Sequence, residues 1–329
     1  MKLVTYEIDG EAGIGVVKGD RIVDVGVAFE LVANGDVAER LMRETYQEGK
    51  ADEAVELALA EGVTVIDMID LLSLDLGPDP LGAVDRIADW ALTQVDSTEI
   101  PEDLVVPFAS ARLLAPIGEP EKLTCIGLNY ADHAREQGIE PPASPIFFVK
   151  TANAICGPGD PIVLPHNSNQ VDYEAEFAVV IGKGGRNIPE DQAMEYVAGY
   201  MVLNDVSARD MQFGDKQWYR GKSCDTFAPC GPWIVTKDEV PDPHNLRISL
   251  TLNGQTMQDS NTSNLVFKVP YLISYLSQSV TWEPGDIIST GTPPGVGVFR
   301  KPQVFLKAGD MVSVTVEGIG TLTNPVRGS

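Results

Sequence analysis

Three short runs at the start of the chain alternate apolar and polar positions in strand fashion: Lys2–Glu7, Gly13–Val17 and Arg21–Val25. Asp9-Gly10 and Lys18-Gly19-Asp20 separate them, and both are turn sequences. Over residues 27–62 the period lengthens. Phe29, Leu31, Val32, Leu41, Met42, Val55, Leu57 and Leu59 fall among charges at helical spacing, interrupted by Asn34-Gly35 and Gly49. The Pro78-Asp79-Pro80 turn then introduces a predicted helix over Leu81–Gln94.

From residue 116 onward the texture is β-rich. Predicted strands are Leu123–Gly127, Ile146–Val149, Glu174–Ile181, Val197–Asn204, Trp233–Thr236, Ile248–Leu252, Asp286–Ser289 and Met311–Val316. Asn253-Gly254, between Ser249–Leu252 and Gln255–Gln258, is a strong hairpin signal. Helices are predicted at Glu190–Tyr196 and Val269–Gln278. The change of texture near the Ala115-Pro116 step divides the chain into an N-terminal domain, 1–115, and a C-terminal domain, 116–329.

Charge sharpens that division. The 329 residues carry 24 Lys+Arg against 48 Asp+Glu, a net charge of −24. Residues 1–115 hold 24 of the acids and 8 of the bases, a net of −16, and read as solvated helix faces. So acidic a chain is a poor partner for nucleic acid or an anionic membrane, which need clustered Lys/Arg. A divalent cation is favoured wherever carboxylates converge. No apolar run reaches 18 residues, so no membrane span is expected. Cys125, Cys156, Cys224 and Cys230 form no CxxC pair, and the N-terminus lacks the regions of a secretory signal. Reduced thiols and a cytoplasmic location are expected.

Four places could carry chemistry. In Val171–Gly182, strand alternation puts Asp172, Glu174 and Glu176 on one face of a run that ends in the core. Such carboxylates either lie on a solvated edge or hold a hard, oxygen-loving cation such as Mg²⁺, Mn²⁺ or Ca²⁺. Asp205, at the end of the apolar strand Gly199–Asn204, either completes that set or caps the next helix. His133 and Glu136 are i, i+3 neighbours if residues 131–137 are helical, giving either a surface contact or a general-base dyad. Arg220-Gly221-Lys222-Ser223 is either a solvated basic turn or a pair of cations for a carboxylate or enolate. Gly291-Thr292-Pro293-Pro294-Gly295-Val296-Gly297 lacks the P-loop signature and reads as a turn, or as a loop that offers Thr292 and backbone N–H groups to an anion. There is no GxSxG elbow.

Several motifs in order resemble the fumarylacetoacetate hydrolase family: GLNYADHAREQG, PIFFVKTANA, VDYEAEFAVVIG, GYMVLNDVSARDMQ, RGKSCDTFAPCGPW, LTLNGQTMQDSNTSNLVF and EPGDIISTGTPPGVG. The resemblance spans about residues 121–326 and faintly the first 25. It implies an α+β fold: a C-terminal mixed β-roll with a smaller N-terminal α/β domain, in a homodimer. It further implies Glu174, Glu176 and Asp205 as ligands of Mg²⁺ or Mn²⁺, with Ca²⁺ as a substitute, and His133 with Glu136 as the catalytic dyad. Lys222 and Gln212 match residues that contact substrate or the developing enolate; Thr292 matches one that binds the substrate carboxylate; Arg209 lies in the same motif as Gln212.

The implied reaction is metal-dependent hydrolysis of the C3–C4 bond of a 2,4-dioxo acid, such as an acylpyruvate or fumarylpyruvate. His133 would activate the attacking water and a stabilised pyruvate enolate would leave. The same site suits oxaloacetate decarboxylation, isomerisation of 2-hydroxyhepta-2,4-diene-1,7-dioate, or hydration and dehydration of a 2-oxo sugar acid. A non-catalytic module for divalent ions is the rival of another class. Residues 35–100 are longer and more acidic than the compact family members lead one to expect.

Overall fold

The computed structural model describes residues 1–33, 64–74, 79–93 and 101–329. They form two compact units, Met1–Leu113 and Leu114–Ser329.

In the first unit, β1 (Lys2–Ile8), β2 (Glu11–Lys18) and β3 (Arg21–Asp24) form an antiparallel meander. Leu3 stands opposite Val16, and Val16 opposite Val23, so one buried row crosses all three strands. The helices are α1 (Val25–Ala33), α2 (Met68–Leu72) and α3 (Pro80–Thr93). Asp67 caps α2 by accepting the Ile69 and Asp70 N–H groups. The buried positions of α3, Ala83, Val84, Ile87, Ala88 and Ala91, repeat every three to four residues. Two short strands, β4 (Val105–Pro107) and β5 (Arg112–Leu113), pair with β3 and β1. The Tyr6 hydroxyl donates to Asp24 Oδ2 at 2.6 Å across this sheet. The helix-spaced residues beyond Ala33, from Leu41 to Leu59, lie outside the described residues, as does Gln94.

The second unit runs β6 (Leu123–Gly127), α4 (Ala131–Gln137), β7 (Ile146–Lys150), β8 (Ile155–Cys156), β9 (Ile162–Leu164), β10 (Val171–Asp172), β11 (Ala175–Ile181), β12 (Val197–Asn204) and β13 (Ser207–Ala208). It continues through α5 (Arg209–Asp215), α6 (Tyr219–Lys222), β14 (Ala228–Thr236), β15 (Arg247–Leu252), β16 (Gln255–Asn261), α7 (Val269–Ser277), β17 (Ile287–Ser289), β18 (Met311–Val316) and β19 (Gly320–Gly328). Its larger sheet has the order β14-β12-β11-β17-β6-β7, and a second sheet has the order β16-β15-β18-β19-β9. The sheets are mixed: β17 runs parallel to β6 and β9 to β19, whereas the other neighbours along these two orders are antiparallel. β11 and β12 are buried along their whole length because β15 and β18 of the second sheet pack on them. Each large side chain in such a layer stabilises by about 1.5–3 kcal/mol.

Local chemistry explains most of these boundaries. Asn253 and Gly254 have φ of +52° and +80°, the pair of left-handed residues that a two-residue hairpin demands. Gly138 ends α4 at φ +68°, and its N–H closes on the Ala134 and Arg135 carbonyls. The helix expected at Glu190–Tyr196 forms, as a 3₁₀ helix: Pro189 precedes it and the Gln192 N–H bonds three residues back to the Pro189 carbonyl. Two expectations need correction. The acidic strand is interrupted at Tyr173–Glu174: Val171–Asp172 pairs with Ser207–Ala208, and only from Ala175 does β11 join the large sheet. Asp286 lies outside β17, where its carboxylate accepts the Lys122 and Glu283 N–H groups.

Candidate active site

The register of β11 with β12 builds the site's acidic floor. Ala175 pairs with Asn204, so the residues just outside the ladder, Glu174 and Asp205, face each other, and the Asp205 N–H donates to the Glu174 carbonyl at 2.9 Å. Asn204 also accepts the Glu174 N–H through its side chain at 3.0 Å. Glu176 follows two residues on. One carboxylate oxygen from each of Glu174, Glu176 and Asp205 lies within 4.8 Å of the others, and all three residues are buried.

Three cations enclose this floor. Lys222 Nζ donates to Glu174 Oε2 at 2.7 Å and to Asp205 Oδ2 at 2.6 Å. Lys150 Nζ donates to Asp205 Oδ1 at 2.6 Å and to the Val206 carbonyl at 3.1 Å. Arg209 donates to Glu174 Oε1 at 2.6 Å, to Asp172 Oδ2 at 2.9 Å and to Gln212 Oε1 at 3.0 Å. Burial opposes ionisation of Glu174, but Lys222 and Arg209 outweigh it and hold the carboxyl well below the usual range. Glu176 goes the other way. Burial first, then repulsion from Asp205 and Glu174, pushes its carboxyl well up, against the Ser289 hydroxyl that donates to it. For Lys222, burial lowers the ammonium's pKa, yet Asp205 and Glu174 leave it raised.

A divalent cation fits this donor set. The ligand atoms are all carboxylate oxygens, which suits a hard ion, and the charge repulsion on Glu176 is what such an ion offsets. Glu174, Glu176 and Asp205 could hold it. Asp172, expected on the same face, does not join them. It turns to Arg209 and accepts the Gly297 and Val298 N–H groups at 2.7 and 3.1 Å, because the strand breaks between it and Glu174.

The helix expected at residues 131–137 forms as α4 and carries the dyad. His133 Nδ1 lies 3.0 Å from Glu136 Oε2. A carboxylate there assigns the ring proton to Nδ1, so Nε2 carries the lone pair, which the Gln137 amide nitrogen meets at 2.9 Å. Asp132 fastens the same helix to β16, accepting from the Ser260 hydroxyl and from Asn264.

One glycine-rich loop links the two halves of the site. The Gly291 N–H donates to Glu176 Oε2 and the Gly295 N–H to Glu136 Oε1, both at 3.0 Å. The anchors are four positions apart, at most roughly 14 Å of chain. Of the two readings of this loop, a turn or a loop that offers N–H groups to an anion, these two N–H groups serve the protein's own carboxylates. Thr292, buried in the same loop, accepts from Gln258 Nε2 at 2.9 Å, and Gln258 Oε1 in turn accepts the Ala175 N–H at 2.8 Å. Arg220 pairs on the surface with Asp215, whereas Lys222 is 2% exposed; the tetrapeptide Arg220–Ser223 is therefore no simple basic turn. Lys150 was not singled out from sequence, although it ends the apolar run of PIFFVKTANA.

Residues 122–327 match the family described as fumarylacetoacetate (FAA) hydrolase C-terminal. The chain belongs to the fumarylacetoacetate hydrolase family. It is 55% identical over 232 residues to a Bos taurus protein named oxaloacetate tautomerase FAHD2A, mitochondrial, covering 70% of this chain and 73% of that one. A crystal structure of a putative HpcE protein from Mycobacterium smegmatis is 36% identical, with a TM-score of 0.76 over all of both chains. Fumarylacetoacetate hydrolase from Exiguobacterium antarcticum is 32% identical, with a TM-score of 0.74, again over all of both chains. The α+β fold with its C-terminal β-roll is that of this enzyme family. No helix among the described residues is long and apolar enough to cross a membrane.

Proposed function

We propose that the chain is a divalent-metal-dependent enzyme that interconverts the keto and enol forms of a short 2-oxo dicarboxylic acid, with oxaloacetate as substrate. The observation that carries this reading is the buried Glu174–Glu176–Asp205 cluster with Lys222 bridging two of its members. The likeness to a protein named oxaloacetate tautomerase selects the substrate. A main reaction of C–C hydrolysis, the first expectation from sequence, gives way to this one because keto–enol exchange needs only a proton shuttle and a stabilised enolate.

Bound Mg²⁺ or Mn²⁺ supplies the Lewis acidity that favours an enolate over a ketone. The chain's own residues do the rest. His133 Nε2, once the Gln137 amide gives way to substrate, takes a proton from C3; the C–H electron pair forms the C2–C3 double bond, and the carbonyl pair moves onto the C2 oxygen. The proton then returns from His133 to that oxygen, which completes the enol; the reverse sequence restores the ketone. Glu136 keeps the imidazole in the tautomer that this requires. Lys222 offsets charge on the oxygen, while Arg209, Gln212 and Thr292 orient the substrate's polar ends. A homodimer is part of the same proposal.

The test is a comparison of substrates with Mg²⁺ and with EDTA. Metal-dependent decay of the enol absorbance of oxaloacetate, without loss of CO₂, supports the reading. Pyruvate release from acylpyruvates with no effect on oxaloacetate exchange would replace it with the hydrolase.

A further inference from the structure

Glu136 is held from two sides. Oε2 meets His133, and Oε1 accepts the Gly295 N–H. Gly295 is itself a constrained residue. Its φ is +103°, and a Cβ built there would stand 2.1 Å from the Met257 carbonyl oxygen. Its N–H faces Glu136 while its own carbonyl and that of Met257 point to one side chain. That side chain is Arg300. Its Nε donates to the Gly295 carbonyl at 3.1 Å, and a terminal nitrogen donates to the Met257 carbonyl. The Tyr173 hydroxyl also donates to the Gly295 carbonyl, at 3.3 Å. Arg300, Met257, Gly295 and Glu136 line one wall of a cavity of about 580 Å³.

We propose that Arg300 is a positioning residue for the His133–Glu136 pair, acting through the backbone of Gly295. The inference rests on the reading of that pair as the proton-transferring dyad. A planar guanidinium can serve two carbonyls at once, because its donors are fixed in a fork; a lysine ammonium has one head for both. Without Arg300, the Gly295 carbonyl keeps only the longer Tyr173 hydroxyl bond, and the loop can turn its N–H away from Glu136. The carboxylate then loses the contact that fixes its second oxygen, and the imidazole loses its fixed orientation. A displacement of this kind costs roughly 10- to 100-fold in rate, even with no change at the reacting atoms.

Two readouts test this together. The chain has three histidines, so ¹⁵N-histidine labelling gives an assignable spectrum of ring N–H groups. The full-length wild type is expected to show a protected downfield N–H that disappears in Glu136→Gln. Arg300→Ala is expected to lose or shift the same resonance. Its kcat for oxaloacetate tautomerisation is expected to fall about 10- to 100-fold, with KM and Mn²⁺ affinity within about twofold of wild type. Combined with Glu136→Gln, Arg300→Ala should add no further loss. If Arg300→Ala fails to fold, Arg300→Lys serves, with a partial shift and a smaller drop. An unshifted resonance in a folded Arg300 variant overturns the inference, as does its absence from the wild type. A wild type inactive on oxaloacetate whose resonance still responds to Arg300 overturns only the proposed function.

Discussion

Lys150 Nζ lies 2.6 Å from Asp205 Oδ1, and neither side chain is exposed to solvent. Asp205 therefore takes one ammonium on each oxygen, Lys150 on Oδ1 and Lys222 on Oδ2. Leaving a buried charge with no partner costs about 3–5 kcal/mol. Lys150→Met leaves Asp205 with Lys222 alone and is expected to destabilise the metal-free protein by less than that, as read by urea unfolding. Added Mn²⁺ is expected to recover part of the loss, since a bound cation compensates the same carboxylate. Equal stability of variant and wild type without metal would remove Lys150 from the charge balance of the site.

Glu174→Ala and Glu176→Gln each delete one member of the carboxylate cluster. Mn²⁺ affinity, read by calorimetry, is expected to fall by more than about 100-fold in each, with turnover falling alongside. Binding that survives both substitutions would place the cation elsewhere.

His133→Ala separates binding from chemistry. The imidazole touches Glu136 and Gln137 but none of the three carboxylates of the cluster. Mn²⁺ affinity is expected to stay within about twofold of wild type, while turnover falls roughly 10²- to 10⁴-fold, the usual worth of a positioned general base. Unchanged turnover would end its role as base.

Asp24, in the first unit, offers a test of stability. Burial, its largest influence, raises the carboxyl above its ordinary value, despite the N–H and O–H groups of Val27 and Tyr6 that donate to it. The folded state therefore holds this proton more tightly than the unfolded chain. The stabilisation is complete below the ordinary carboxylate value and fades as pH rises through the raised one. Asp24→Asn is expected to flatten this part of the stability–pH curve, measured as the difference in melting temperature between variant and wild type from pH 4 to 7. An unchanged difference across that range would contradict the burial argument.

Local signals in the sequence proved reliable where a short stretch contains all of its own partners. Asn253-Gly254 specifies its hairpin alone, and the His133–Glu136 spacing needs one helical turn to become a contact. Alternation alone left Glu174 and Glu176 on a solvated edge or in a site, and Asp205 as a member or a cap; the family resemblance named the three together, and the antiparallel pairing of two apolar strands is what brings them to one place. Reasoning from alternation failed at Asp172, since the period holds only within one continuous strand and this strand breaks at Tyr173. Lys150 escaped notice because its partner lies 55 residues away, and the Arg220–Ser223 tetrapeptide alone leaves Lys222 between surface and site because burial is decided by the elements that cover it. The 3₁₀ segment at Glu190–Tyr196 carries the same residues that a helix would.

The pairing of Ala175 with Asn204 has a consequence for how such an enzyme can diverge. Both strands are buried along their whole length, and a slip of one residue would drive Glu176 into the packed layer and bring Phe177 out in its place. The acidic floor is thus a property of the ladder and cannot drift by small steps. Mutations that retune the chemistry must fall on the helices and loops that roof it, while changes deep in β11 or β12 are felt by the cluster as directly as the loss of a carboxylate.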